Sequence, residues 1–268
     1  DTVWRAWADN VQGPAEKALQ LATLRYLKGY AARVAKRLPS ALGKKAVNGD
    51  MVIRADDEQW LVEVLDAYAE GKLLEKAIRP AVEDAWRRSA DAAVNDMPSS
   101  VAGDFIYDHD ATNAEVDKQL GEMIGVRADG TISDAGITAT TRKNVRGTVL
   151  NALAAGDTIG DIQKLLINDQ SFSASRALKI ARTESTRSVN AAGVNAWEQM
   201  ADQADVDLEL KWKSQPGARD AHAKLNMAVR GDDGYWTSNG AKAEYPGGFG
   251  VASLDINCRC TFLPSVKI

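Results

Sequence analysis

Cysteine and histidine are the scarcest reactive residues in this chain, two of each among 268. Two cysteines cannot build the disulfide framework of a small secreted domain. No apolar run approaches the roughly 20 residues that a membrane span needs. No signal-peptide pattern opens the chain. It begins Asp1-Thr2-Val3-Trp4 without Met, which suits a processed, trimmed or fused chain alike. Also missing are a phosphate-binding glycine loop, an HExxH helix and a GxSxG elbow. These absences set aside membrane proteins, disulfide scaffolds and the commonest nucleotide-binding, zincin and serine-hydrolase classes. Synthesis in a reducing cytoplasm fits the cysteine usage.

What remains is an ordinary globular composition, 45% hydrophobic and 26% charged, enough to bury a core in one large or two modest domains. The formal charge of −4 hides an uneven distribution. Residues 1–47 hold nine Lys/Arg against three Asp/Glu, residues 50–135 eight against twenty, and residues 141–190 eight against four. Solvated helix faces are the plain explanation. The sharper one is a polymer or protein partner that meets the basic stretches, through Lys28, Arg33, Lys36, Arg37, Lys44 and Lys45 in the first and Arg142, Lys143 and Arg146 in the second.

Apolar spacings of three and four predict an α+β protein with a mainly helical N-terminal half. Leu24, Leu27, Ala31, Val34 and Leu38 mark one helix between Pro14 and Pro39. Trp60, Leu61, Val64, Leu65 and Tyr68 mark the next, with Gly71 as its stop, and Pro80 is expected to kink or split the third. The stretch 98–112 has no helical period and reads as a linker with a short strand at 101–107. It divides a helical region, 1–97, from a second domain, 113–268. That second domain reads as a helical bundle over 113–202, with Asp/Thr capping chemistry at 157–158 and a serine cap at Ser173, followed by a small, loop-rich β region over 206–265. In the β region Leu208, Leu210 and Trp212 alternate with polar residues, as one face of a strand does. The closing segment, 251–264, reads as a last strand.

His222, Cys258 and Cys260 are competent zinc ligands, with Asp220 or Asp255 as a fourth. The alternative is a hydrogen-bonded histidine beside two small apolar core cysteines. A disulfide between Cys258 and Cys260 would be strained, because side chains at i and i+2 of a strand keep their Cα atoms about 6.5–7 Å apart. A thiol hydrolase would want Cys258 at a helix N-terminus, and the sequence shows none there. On the long helix, Arg182, Glu184 and Arg187 form a polar stripe that continues to Asn190. Such a stripe is either a surface face or a buried network that docks the β region. In a strand Arg259 points away from the cysteines, and Glu184 is its expected partner. Asp108, His109 and Asp110 read as a solvated loop, and the glycines of Pro246-Gly247-Gly248-Phe249-Gly250 as turn residues.

Taken in order, Ala181-Arg-Thr-Glu184, Trp212, Arg219-Asp-Ala-His222, Pro246-Gly247 and Asn257-Cys-Arg-Cys260 resemble the C-terminal domain of the phage Mu F-type minor head proteins, the phage head morphogenesis family. The resemblance covers about 140–265. It departs after the helix of His222, where the family commonly has a glycine and this chain has Asn226 and Met227. It implies a structural virion component at the portal vertex of a tailed-phage head, present in several copies and needing no catalytic site. Its partners would be the portal protein, other head proteins and, non-specifically, double-stranded DNA. No cofactor is required on this reading. The alternative is a zinc-dependent hydrolase or nuclease-like toxin domain that uses His222, Cys258 and Cys260, with Glu184 as base.

Overall fold

Most of the helical periods in the sequence fold as helices. The computed structural model describes residues 2–43, 46–47, 50–51, 64–102, 105–125, 131, 133 and 135–267. Helix α1 (Thr2–Trp7) runs through a π-helical turn (Ala8–Gln12) into α2 (Gly13–Gly43). Then come β1 (Ala46–Val47), β2 (Asp50–Met51), α3 (Ala67–Asp96), α4 (Ser99–Ala102) and α5 (His109–Ile124). Helices α6 (Ile137–Ala154), α7 (Ile159–Ile167) and α8 (Ala174–Ala204) lead into the β region. That region holds β3 (Asp207–Lys213), α9 (Asp220–Ala223), β4 (Trp236–Ser238), β5 (Ala241–Ala243), α10 (Ala252–Asp255) and β6 (Thr261–Lys267). The fold class is α+β, as the sequence predicts. No helix among the described residues is long and apolar enough to cross a membrane.

The predicted caps form. The Thr158 hydroxyl accepts the Asp161 N–H and the Ser173 hydroxyl accepts the Arg176 N–H. Several expected breaks do not. Helix α2 continues past Pro39, and α3 runs through both Gly71 and Pro80. Ile78 and Val82, on either side of Pro80, are buried, and core burial outweighs the missing hydrogen bond. The break falls instead at Asp66, in a left-handed conformation with φ 39°. Its carboxylate accepts the Ala69 N–H at 3.3 Å and so starts α3. This resets the phase of the helix. Val64 and Leu65 are buried as expected, but Tyr68 is exposed. Trp60 and Leu61 lie outside the described residues. The short strand expected at 101–107 is absent: residues 101–102 close α4, and residues 105–108 have no regular structure.

The chain forms two compact units, each assembled from separate segments: residues 1–20, 80–119 and 179–268 in one, residues 21–79 and 120–178 in the other. The second unit buries Leu27, Val34, Leu38, Leu74 and Ile78. It also buries Glu70 between Arg33 and Arg37, at 2.6 and 3.1 Å.

In the first unit, β3 pairs antiparallel with β6, from Asp207↔Lys267 to Lys213↔Thr261. The other edge of β3 bonds to residues 227–230, with Met227 N–H donating to Trp212 O and Arg230 N–H to Leu210 O. Leu210 and Trp212 face the core as the alternation predicts, packed with Leu225, Trp236, Phe249, Leu254, Cys258 and Cys260. Helix α8 lies against this region where Gly193 permits it. A Cβ there would come within 3.0 Å of the Phe262 ring.

Candidate functional site

The closing segment is not one continuous strand. Residues 252–255 are helical, residues 256–260 form a loop, and β6 starts only at Thr261. Asp255 causes this. Its carboxylate accepts the N–H groups of Phe249 and Val251, both at 3.1 Å, and Asn257 then turns the chain with φ 58°. Asp255 is therefore engaged with the glycine-rich loop and is not a ligand beside the cysteines. Asp220, at the start of α9, is exposed.

The loop brings Cys258 and Cys260 to His222. All three side chains are at most 1% exposed. His222 Nδ1 lies 3.6 Å from Cys258 Sγ and 3.5 Å from Cys260 Sγ. The Cys260 N–H points at Cys258 Sγ, 3.5 Å away. Trp212 meets the imidazole edge-on at 5.4 Å and Phe249 stacks on it at 5.9 Å. His222 Nε2 has no hydrogen-bond partner. Both cysteines are free thiols. The hydrogen bond between them drives their acidities apart. It pushes Cys260 down to about 5, helped by His222 and the Gln215 N–H against the effect of burial. The same bond, with burial, pushes Cys258 up.

A second shell of contacts holds the loop by its backbone. Thr186 donates its hydroxyl to Cys258 O at 2.6 Å. Asn190 Nδ2 donates to Cys260 O at 2.9 Å and to Pro246 O at 3.0 Å. Thr183 accepts the Asn257 N–H at 3.1 Å. Positions 183, 186 and 190 share one face of α8, and it is this face that bonds the β region; of the stripe expected from sequence, Asn190 lies on it. Gly247, with φ 90°, lets the Pro-Gly-Gly turn pack beside the same face, where an added Cβ would already lie 3.4 Å from Thr186 Cγ2.

Arg259 points away from the cysteines, but its partner is Glu16, not Glu184. The two guanidinium–carboxylate contacts measure 2.7 and 2.5 Å. Glu16 also takes Arg182 Nε at 3.2 Å, and its side chain is only 10% exposed. The Trp4 indole N–H donates to Arg259 O at 2.9 Å, and Gln12 Nε2 donates to Thr186 Oγ1. Trp4, Gln12, Glu16 and Thr186 were not among the sequence candidates. The spacing of Thr186 with Thr183 and Asn190 was a readable signal. Contacts spanning 243 residues between Glu16 and Arg259 leave none.

Of the basic candidates, Lys28, Lys36 and Lys143 are exposed. Arg33 and Arg37 share the buried Glu70 and, with Lys36, line an open depression. Arg142 and Arg146 are half-buried on α6. Lys44 and Lys45 lie outside the described residues. The segment around Asp108 starts α5 rather than forming a loop, and the side chains of His109 and Asp110 lie outside the described residues.

A long helix that docks a small β region through a Thr/Asn face, with a buried His–Cys–Cys cluster beside the contact, defines an α+β module. Residues 143–263 match the family of the phage Mu protein F like protein, so this part of the chain is similar to that family. A protein of Enterococcus faecalis (strain ATCC 700802 / V583), described as NAD(+)--arginine ADP-ribosyltransferase EFV, is 30% identical over 126 residues. The match takes in 46% of this chain and 26% of that relative. The chain thus spans about a quarter of the length of the curated relative it matches. No solved structure matches.

Proposed function

We propose that the protein is a structural minor head protein of a tailed phage, seated at the portal vertex, that assists head morphogenesis and contacts packaged DNA. The observation that carries this reading is the phage Mu protein F like match over 143–263. The matched segment contains both the docking helix face and the Cys-Arg-Cys loop. The exposed Lys28, Lys36 and Lys143, with the depression lined by Arg33, Lys36 and Arg37, support an acidic partner, either phosphate backbone or an acidic protein face. Attraction of this kind is non-specific and weakens with salt.

The hydrolase alternative lacks comparable support. His222, Cys258 and Cys260 are buried, and no carboxylate joins them among the described residues. A hydrolytic zinc site wants an open position and a nearby base. The transferase activity in the relative's name belongs to a protein of which the match covers a quarter.

Mass spectrometry of purified virions and a pull-down with portal oligomers test the structural reading. Recovery in both is expected, and absence from both overturns it. ADP-ribose transfer from NAD⁺ to arginine by the purified chain would also overturn it. DNA retention that falls steeply between low and physiological salt, and falls further in a Lys28→Glu, Lys36→Glu, Lys143→Glu variant, is expected for the DNA contact.

A further inference from the structure

We propose that His222 Nδ1, Cys258 Sγ and Cys260 Sγ bind one zinc-class cation, which clamps the C-terminal loop onto the β region as a structural centre. Three independent features of the site lead to this.

The first is geometry. The only groups of three or more potential ligands among the described residues reduce to this one, with all ligand atoms within 4.8 Å of one another. Zinc–sulfur and zinc–nitrogen bonds of about 2.3 and 2.0–2.1 Å at a tetrahedral angle set the sulfur–nitrogen edge at about 3.6 Å. The two edges here are 3.6 and 3.5 Å. A neutral imidazole nitrogen has one lone pair and can serve one S–H donor well. Near-equal distances from one nitrogen to two sulfurs match a shared central ion better than a single hydrogen bond.

The second is charge. Two thiolates, a neutral imidazole and a divalent cation sum to zero. An uncompensated charge is very costly at sites with at most 1% exposure. Relative to two thiols, binding releases two protons to solvent. The Cys260 N–H directed at Cys258 Sγ holds that sulfur in place beside the imidazole.

The third is what the cluster joins. Cys258 and Cys260 sit on the loop after α10, and His222 sits on α9, so the ion would tie together two short helices. Each has only four residues, too few to be stable alone. The buried imidazole is otherwise poorly served. Its Nε2 has no partner, and Nδ1 meets only sulfur. A metal bond at Nδ1 offsets that burial. Asp255 is committed to the N–H groups of Phe249 and Val251, and no fourth His, Cys, Asp or Glu of the described residues joins the group.

The test uses the whole chain, reduced, prepared once with zinc and once stripped by chelator. Elemental analysis should find one zinc per chain in the first. Titration of the stripped protein with Co²⁺ should give a sulfur-to-cobalt charge-transfer band and tetrahedral d–d bands that saturate at one equivalent. Zinc should also slow the reaction of both thiols with a disulfide reagent by at least tenfold. Cys258→Ser, Cys260→Ser and His222→Ala should each weaken zinc binding at least a hundredfold. The cobalt spectrum of the unmutated chain decides the matter even if those variants fail to fold. Less than a tenth of an equivalent of zinc together with no charge-transfer band would overturn the proposal. So would full zinc retention in a folded triple variant.

Discussion

Each of the two compact units buries one glutamate against two arginines, but the two arrangements are built differently. In the second unit, Glu70 on α3 meets Arg33 and Arg37, one turn apart on α2. The Tyr26 hydroxyl donates to the same carboxylate at 3.3 Å, and burial raises its pKa, so it stays protonated. The Arg33 guanidinium also lies over the Tyr26 and Tyr30 rings. All these partners sit on one helix. In the first unit, Glu16 meets Arg182 and Arg259, which lie 166 and 243 positions away. Glu70 therefore fastens one helix to another. Glu16 fastens the first turns of α2 to the docking helix and to the Cys-Arg-Cys loop at once. The same charge chemistry closes a local contact in one unit and a whole module in the other.

This contrast can be broken by mutation, and the largest effect is expected at Glu70, whose side chain is fully buried. Breaking a buried pair strands the partner charges, but Arg33 and Arg37 are each about a third exposed and solvent screens them. Glu70→Gln should therefore lower stability by about 3 kcal/mol in denaturant unfolding. Glu16→Gln should lower it by less, about 2 kcal/mol, because its partners are similarly exposed and its own carboxylate reaches solvent slightly. Its signature is regional. Amide exchange should accelerate at residues 256–260, whereas Glu70→Gln should leave that loop unchanged. Equal acceleration in both variants would dissolve the distinction between the units.

Asn190→Ala removes the donor to Cys260 O and Pro246 O and leaves buried carbonyls without it. A loss of about 1–2 kcal/mol is expected, again with faster exchange in the loop. The smallest effect is a gain. Met227 is half exposed and left-handed, with φ 66°, a conformation that penalises a Cβ by roughly 1–2 kcal/mol. Met227→Gly should raise stability by up to about 1 kcal/mol. A decrease in melting temperature would argue against strain at that turn.

Much of the framework could be read from the sequence because it depends on neighbours. The caps at Thr158 and Ser173, the long helix after Ser173 and the buried face of Leu210 and Trp212 all follow from residues a few positions apart. The failures share one cause. Pro39, Gly71 and Pro80 are local breakers overruled by burial on both sides. Asp66, which does break the helix, acts through a side-chain bond that composition does not announce. The last strand was read as reaching back over Cys258, but Asp255 draws its own segment into a helical turn by binding the backbone of residues 249–251. The candidate site was legible as an inventory of His222, Cys258 and Cys260. Of the docking face only Asn190 was legible, and the partner of Arg259, Glu16, lies 243 positions away.

By itself the sequence determined the helices, the inward face of the β region, the scarcity of reactive side chains and the order of motifs that marks the domain. These rest on periodicity and on residue types over short spans, where the chain has few alternatives. Only the tertiary structure decided that Glu16, Arg182 and Arg259 meet, and that one imidazole nitrogen stands equally close to two sulfurs. Meetings across tens to hundreds of residues are selected by the sum of many weak packing contacts against the entropy of closing the chain, and no local spacing records that sum.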